Sequence, residues 1–311
     1  MKKLRWVLTI VLAVISLVLG CKGAPTATAD TALTSQAAGQ VAAATPAGQL
    51  PQMKITTFNV GKADAHLIQV AGKNIVIDAG LPEDGNTLVK RLRALNVGQI
   101  DTLIMTHPHK DHIGGMVAVL NSISVKNFYD PEIKYNSKLY VKMLNLLATK
   151  HIATNLLQGP SVLQIAPYAT LEILWPLDRP QRIVSQDPNV NSLVMRLVYG
   201  KYREMFTADS YKESEYAIIA KYPKDKLQAQ VLKVAHHTSN TSTSWEWLDA
   251  VNPEVAVASY GNIAGVDKNK YPNKKTLKRI KDHNIKFYGT YEQGDIIITT
   301  DGVKYKVETA K

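Results

Sequence analysis

The stretch Thr106-His107-Pro108-His109-Lys110-Asp111-His112-Ile113-Gly114-Gly115 places four candidate metal ligands within six residues. Imidazole nitrogens and a carboxylate oxygen suit zinc and similar divalent ions. On an extended loop the alternation of His107, His109 and Asp111 predicts three donors on one side, and His112 adds a fourth. The same donor types recur at Asp78 in Ile77-Asp78-Ala79-Gly80 and at the pair His236-His237. Cys21 is the one cysteine, so no intrachain disulfide forms, and with no thiolate on offer beyond it a metal must be held by His, Asp and solvent.

Such donors converge only if strand ends bring them together. Residues 100–105 form a short apolar run that reads as a buried strand, and residues 116–120 read as a helix. The histidine loop therefore leaves the carboxyl end of a strand and enters a helix, where open α/β sheets hold their sites. Residues 53–79 alternate as antiparallel strands with a turn at Gly72-Lys73. Leu88, Leu92 and Leu95 share a helical face, and residues 139–147 repeat that pattern with Met143, Leu144 and Leu147 as core.

Further along, residues 189–209 predict two strands and a tight turn, and residues 228–237 a strand ending in His236-His237. Residues 254–261 predict another strand, residues 274–281 a basic helix, and residues 294–307 a hairpin. Residues 121–136 show no clear pattern, although Tyr129 and Tyr135 are candidates to line a cleft. His151 and His283 belong to no motif and read as surface residues. Periodicity alone gives the class α/β. Adjacent residues at a strand end point to opposite sides, so His236 and His237 are not expected to bind one metal together. His237 is favoured as the ligand, with His236 facing the substrate or standing behind the ligands, and the swapped assignment stays open.

A chain of 311 residues with 45% hydrophobic content buries a substantial core, which excludes a disordered protein. Residues 1–20 carry Lys2, Lys3 and Arg5, then an apolar run over 6–19, and read as a secretory signal. Gly20 before Cys21 resembles a bacterial lipobox, so 1–20 is expected to be a lipoprotein signal peptide and Cys21 the lipid attachment site. Residues 21–51, rich in Ala, Thr, Gln, Gly and Pro, are expected to be a flexible tether that holds the remainder, 52–311, away from the membrane of the bacterial cell envelope, to which the exported chain is lipid-anchored. The formal net charge is +11, and loss of 1–20 removes only three of the positive charges. A basic exported protein favours polyanions such as nucleic acid or an anionic envelope polymer, or simply faces an anionic membrane.

The order His-X-His-X-Asp-His followed by Gly-Gly resembles the signature of the metallo-β-lactamase-like hydrolases. Within them the chain is most similar to the soluble hydrolase domain of the ComEC competence-protein family. Phe58-Asn59-Val60-Gly61-Lys62-Ala63-Asp64-Ala65, Asn191-Ser192-Leu193-Val194, Thr207-Ala208-Asp209 and Leu232-Lys233-Val234-Ala235-His236-His237-Thr238-Ser239 carry that likeness. Departures from it are Asn59, Lys62, Ala63, Ala208, Thr238 and the absent Gly and His in Asn269-Lys270-Tyr271-Pro272.

The resemblance implies a four-layer αββα sandwich in one domain, 52–311, and two divalent ions, zinc first and manganese as the alternative. It implies His107, His109 and Asp209 at one ion, and Asp111, His112, Asp209 and His237 at the other, with Asp209 bridging. Asp111, Asp209 and His236 are its catalytic candidates; Asp64, Asp78, Asn191, Ser192 and Tyr271 support the ligands or meet the substrate. The activity implied is hydrolysis of a phosphodiester by a metal-activated water. Two other functions compete: a non-catalytic lipoprotein that binds a polyanion through Lys268, Lys270, Lys274, Lys275, Lys278 and Lys281, and a phosphorylcholine-esterase-like surface enzyme. No protein partner is implied.

Overall fold

Residues 50–261 and 271–311 are described by the structure, a computed structural model. The expected signal segment, Cys21, the tether up to residue 49, and Lys268, Asn269 and Lys270 lie outside the described residues.

The strands are β1 (Met53–Thr57), β2 (His66–Val70), β3 (Lys73–Ile77), β4 (Gln99–Ile104), β5 (Ser124–Asp130), β6 (Thr154–Leu156), β7 (Ser161–Ala166) and β8 (Ala169–Trp175). They continue with β9 (Val194–Tyr199), β10 (Tyr202–Phe206), β11 (Val231–Lys233), β12 (Val255–Ala258), β13 (Lys286–Gly289), β14 (Ile296–Thr300) and β15 (Tyr305–Thr309). The helices are α1 (Gly85–Ala94), α2 (Lys110–Ile113), α3 (Met116–Ser122), α4 (Lys138–Thr149), α5 (Lys212–Lys221), α6 (Trp245–Val251), α7 (Lys274–Asp282) and α8 (Thr290–Gln293).

Two sheets result, in the orders β15-β14-β1-β2-β3-β4-β5-β6 and β13-β12-β11-β10-β9-β8-β7. Strand alternation explains the layers. Ile75 and Ile77 point inward and meet Ile173, Met195, Leu197 and Phe206 of the other sheet. Val76 between them points outward and packs with Leu88 and Leu92 of α1, Met116 and Val119 of α3, and Met143 of α4. On the far side, Met205, Leu232 and Ala256 pack against Ile218, Trp247 and Ile280 of α5, α6 and α7. Each fully buried Leu or Ile side chain contributes about 1.5–3 kcal/mol of burial free energy. The expected αββα sandwich is what these residues form.

The site depends on strand direction. β3 to β6 run parallel, and so do β10 to β13. The carboxyl ends of β3, β4, β10, β11 and β12 therefore deliver their following residues to one shared edge. Sequence periodicity located these strands because they are buried on both faces; β12 is buried at every position. It gave no signal for β5 to β7, where exposed residues dominate β7 and interrupt β5. The expected strand from residue 189 begins only at Val194, because Pro188–Asn191 is a single tight 3-10 turn.

Candidate metal centre

Asp78 follows β3 in left-handed backbone, with φ 57°. One carboxylate oxygen accepts the Thr106 N–H at 2.9 Å; the other accepts the Thr106 hydroxyl at 2.6 Å and faces His112 Nδ1 at 2.8 Å. A buried carboxylate on Nδ1 fixes the ring's orientation and leaves Nε2 for other chemistry. That Nε2 lies 3.3 Å from Asp209. The Gly pair has a steric reason: a Cβ on Gly115 would sit 2.1 Å from the Ala79 carbonyl oxygen, and one on Gly114 2.3 Å from Pro82 N. The loop can close over the end of β3 only without those side chains, and the His112 carbonyl then accepts the Ala79 N–H at 2.7 Å.

The other half is built differently. His236, His237 and Thr238 have φ of 48°, 50° and 71°, a left-handed run rather than the end of an extended strand. The extended strand end that was expected here is therefore absent, and the two rings reach different oxygens of Asp209, His236 Nε2 toward Oδ2 and His237 Nε2 toward Oδ1. His237 is fully buried; its Nδ1 donates to the Ser259 carbonyl at 3.0 Å, and its Nε2 lies 3.5 Å from Asp209 and 3.6 Å from Asp111. His236 is partly exposed, with Nδ1 on the Thr241 hydroxyl at 2.8 Å and Nε2 3.8 Å from Asp209.

Donor atoms of Asp111, His112, Asp209 and His237 all lie within 4.8 Å of one another. His107 Nε2 lies 3.2 Å from His109 Nδ1, and the His107 ring is 4.0 Å from that of His112. Tyr135 packs edge-on against His109 at 5.4 Å, whereas Tyr129 packs on the core between the sheets. The fit to a cation rests on orphaned atoms. His112 Nε2, His237 Nε2 and Asp209 Oδ1 are buried with no hydrogen-bond partner. Leaving such an atom unsatisfied costs about 1–3 kcal/mol. A divalent ion among nitrogen and oxygen donors satisfies all three.

The charges already lean that way. Burial pushes the Asp209 carboxyl up, but His237, His112 and His236 hold it well below the usual carboxylate range. Burial and then His237 and His112 act likewise on Asp111, with the same net direction. Behind the ligands, Asp64 and Lys233 form an ion pair in which both side chains are about 1% exposed. Burial opposes the Asp64 charge, yet Lys233 and the neighbouring imidazoles bring its pKa down to about 2. Asp64 also lies 3.7 Å from His237 Nδ1.

The loop after the histidines is clamped. Arg279 of α7 donates to the Thr243 and Ser242 carbonyls at 2.6 and 2.8 Å and to Asn240 at 2.9 Å. Glu215 of α5 accepts the Thr243 and Ser244 N–H groups from the other side. Asn191 Nδ2 donates to the Ile183 carbonyl at 2.8 Å, which ties the turn to the preceding segment, and Ser192 Oγ donates to the Asn189 carbonyl at 2.9 Å within the turn. That turn reaches the metal loop through Leu193 N–H to the Thr106 carbonyl at 3.1 Å. Tyr271 stands at the rim, its ring 5.2 Å from the Lys62 ammonium. His151 is exposed, and His283 is half-buried with its ring tilted against that of Trp245 at 4.6 Å.

Sequence reasoning overlooked Thr106, Lys233 and the clamp formed by Arg279 and Glu215. Lys233 carried a usable signal: it is a charged residue inside the otherwise apolar run Val231-Leu232-Lys233-Val234. A lysine placed there is either exposed at an edge or paired in the interior.

A model of the metallo-beta-lactamase superfamily matches residues 59–261, more than half of the chain. The chain belongs to the metallo-β-lactamase superfamily. Among curated members, Competence protein ComA of Neisseria gonorrhoeae is 30% identical over 237 residues, 76% of this chain and 30% of that protein. ComE operon protein 3 of Bacillus subtilis is 29% identical over 211 residues, 67% of this chain and 26% of that protein. The chain thus spans less than a third of the length of either relative. In fold it is similar to the metallo-beta-lactamase fold protein YhfI from Bacillus subtilis, with TM-score 0.52 and 14% identity over 76% of this chain and 95% of that one. Within the fold of that superfamily, these donors at the sheet edge form a candidate dimetal site.

Proposed function

We propose that the centre holds two divalent ions and hydrolyses phosphodiesters in nucleic acid or a phosphorylated envelope polymer. The carrying observation is the convergence of Asp111, His112, Asp209 and His237 with orphaned nitrogens facing Asp209. His107 and His109 would hold the first ion with Asp209, and Asp111, His112 and His237 the second, with Asp209 shared. Zinc suits this donor set, and manganese is the alternative. When bound, the ions supply a nucleophilic water near neutral pH and Lewis acidity toward the scissile group.

The chain's own residues orient and exclude. Asp78 and the Ser259 carbonyl fix the imidazoles of His112 and His237 by their Nδ1 atoms. His236 holds Nε2 on the exposed side of Asp209, where it can contact an oxygen of the substrate. The similarity to competence proteins and the net charge of +11 support an anionic polymer as the substrate class. Turnover of bis(p-nitrophenyl) phosphate that follows metal content and is lost in Asp209→Ala supports the reading. Full metal content with no turnover of any diester contradicts it and favours a binding role.

Export and lipid anchoring are also proposed, supported by the apolar run before Cys21. Radiolabelled palmitate should enter the wild-type chain in bacterial cells and be absent from Cys21→Ser. Equal labelling of the two contradicts the anchor.

A further inference from the structure

The rim of the centre carries a cation of its own. Lys62 Nζ lies 3.1 Å from Asp111 Oδ2, and the two side chains are 14% and 17% exposed. Its ammonium also stands over the Tyr271 ring at 5.2 Å. Burial disfavours its charge, but Asp111, Asp209 and Tyr271 outweigh burial and raise its pKa.

The backbone leaves Lys62 little freedom to turn away. Gly61 has φ +70°, and a Cβ on Gly261 would come within 2.7 Å of Gly61 Cα, so the turn is pressed against the end of β12. Two residues on, the Asp64 N–H donates to the Asp111 carbonyl at 3.1 Å, which ties the turn to the metal loop. Lys62 is one of the departures from the ComEC-like pattern, and it places a positive charge beside the Asp111 carboxylate.

We propose that Lys62 couples loading of the centre to the arrival of an anionic substrate. The proposal rests on the reading that Asp111 is a metal ligand. The ammonium and a divalent ion compete for the Asp111 carboxylate charge, so Lys62 weakens metal binding in the substrate-free protein. Once the carboxylate serves the metal, the ammonium turns its charge to an anionic oxygen of the substrate at the rim. Linkage makes the effect reciprocal: an anion held by Lys62 must tighten the metal by the same factor that the metal tightens the anion.

The test is titration of the full chain in detergent with Zn2+, with and without dimethyl phosphate, for wild type, Lys62→Gln and Lys62→Arg. Lys62→Gln is expected to bind Zn2+ about tenfold more tightly than wild type without the anion, the order expected for removing a rim charge. Its gain in Zn2+ affinity on adding dimethyl phosphate should be smaller than that of wild type, and Lys62→Arg should restore the wild-type pattern. Direct contact of the anion with the metals contributes equally in all three proteins, so the difference isolates Lys62. Equal Zn2+ affinity in wild type and Lys62→Gln, or equal gains with the anion, overturns the proposal. An intact Lys62 effect with no diester turnover would retire the phosphodiester reading alone, and a wild type that takes up no metal would overturn both.

Discussion

The two halves of the sandwich supply the centre in different ways. The first half delivers His107, His109, Asp111 and His112 from one loop, held by one buried side-chain carboxylate, Asp78, and by backbone N–H groups of Asp64 and Ala79. The second half gathers Asp209 and His237 from two strand ends and holds them by left-handed backbone and by a clamp of Arg279 and Glu215. One ion pair, between Asp64 and Lys233, joins the halves beneath the ligands. A contiguous loop needs few positioning groups, whereas ligands from separate strands need the whole local fold. Damage to the first half should therefore show in metal affinity, and damage to the second in stability as well.

The link between the halves should give the largest effect. Lys233→Met leaves Asp64 buried without its partner and is expected to cost about 3–5 kcal/mol by urea unfolding. The double variant Asp64→Asn/Lys233→Met should recover most of that loss. If it does not, the pair matters through packing rather than charge.

Strand β10 offers an internal control, since it leads to Asp209 but also carries a second buried acid away from the ligands. Burial pushes Glu204 up to about 7, against the opposing hydrogen bond donated by Tyr202 at 2.7 Å. A carboxyl raised in the folded state contributes stability that is complete below the unfolded value of about 4.3 and lost as pH rises through 7. Glu204→Gln should be close to neutral at low pH and stabilising by about 2–3 kcal/mol at pH 8, measured by urea unfolding across pH. An unchanged pH dependence in the variant would contradict this assignment.

In the first half, Asp78→Asn should lower metal affinity about 10- to 100-fold while the fold persists, measured by Zn2+ titration with circular dichroism alongside. A wild-type affinity in that variant would show that the loop holds its histidines without Asp78. The smallest effect belongs to the second half's helix cap. Ser244 accepts the Trp247 N–H at 3.1 Å, so Ser244→Ala should cost about 1 kcal/mol by thermal unfolding, with metal affinity unchanged.

The same contrast explains what could be read without coordinates. The loop from His107 to His112 declares itself because its ligands are neighbours in sequence, and Asp78 is marked by ending an apolar run. Asp209 came into view only through family resemblance, and the choice between His236 and His237 stayed open, since no spacing rule joins residues from different strands. The backbone at His236 and His237 was misjudged as an extended strand end because three successive left-handed residues, none of them glycine, leave no mark in composition. Strands β5 to β7 escaped because their exposed positions erase the apolar pattern that revealed β4 and β12.

The central claim is that residues from both halves share one pair of ions across Asp209. Metal content of the full chain, wild type beside Asp209→Ala, tests it most directly. The expected result is two ions per wild-type chain and loss of both, or retention of one weakly held ion, in the variant. Two ions held with unchanged affinity without Asp209, or none in the wild type, would contradict it.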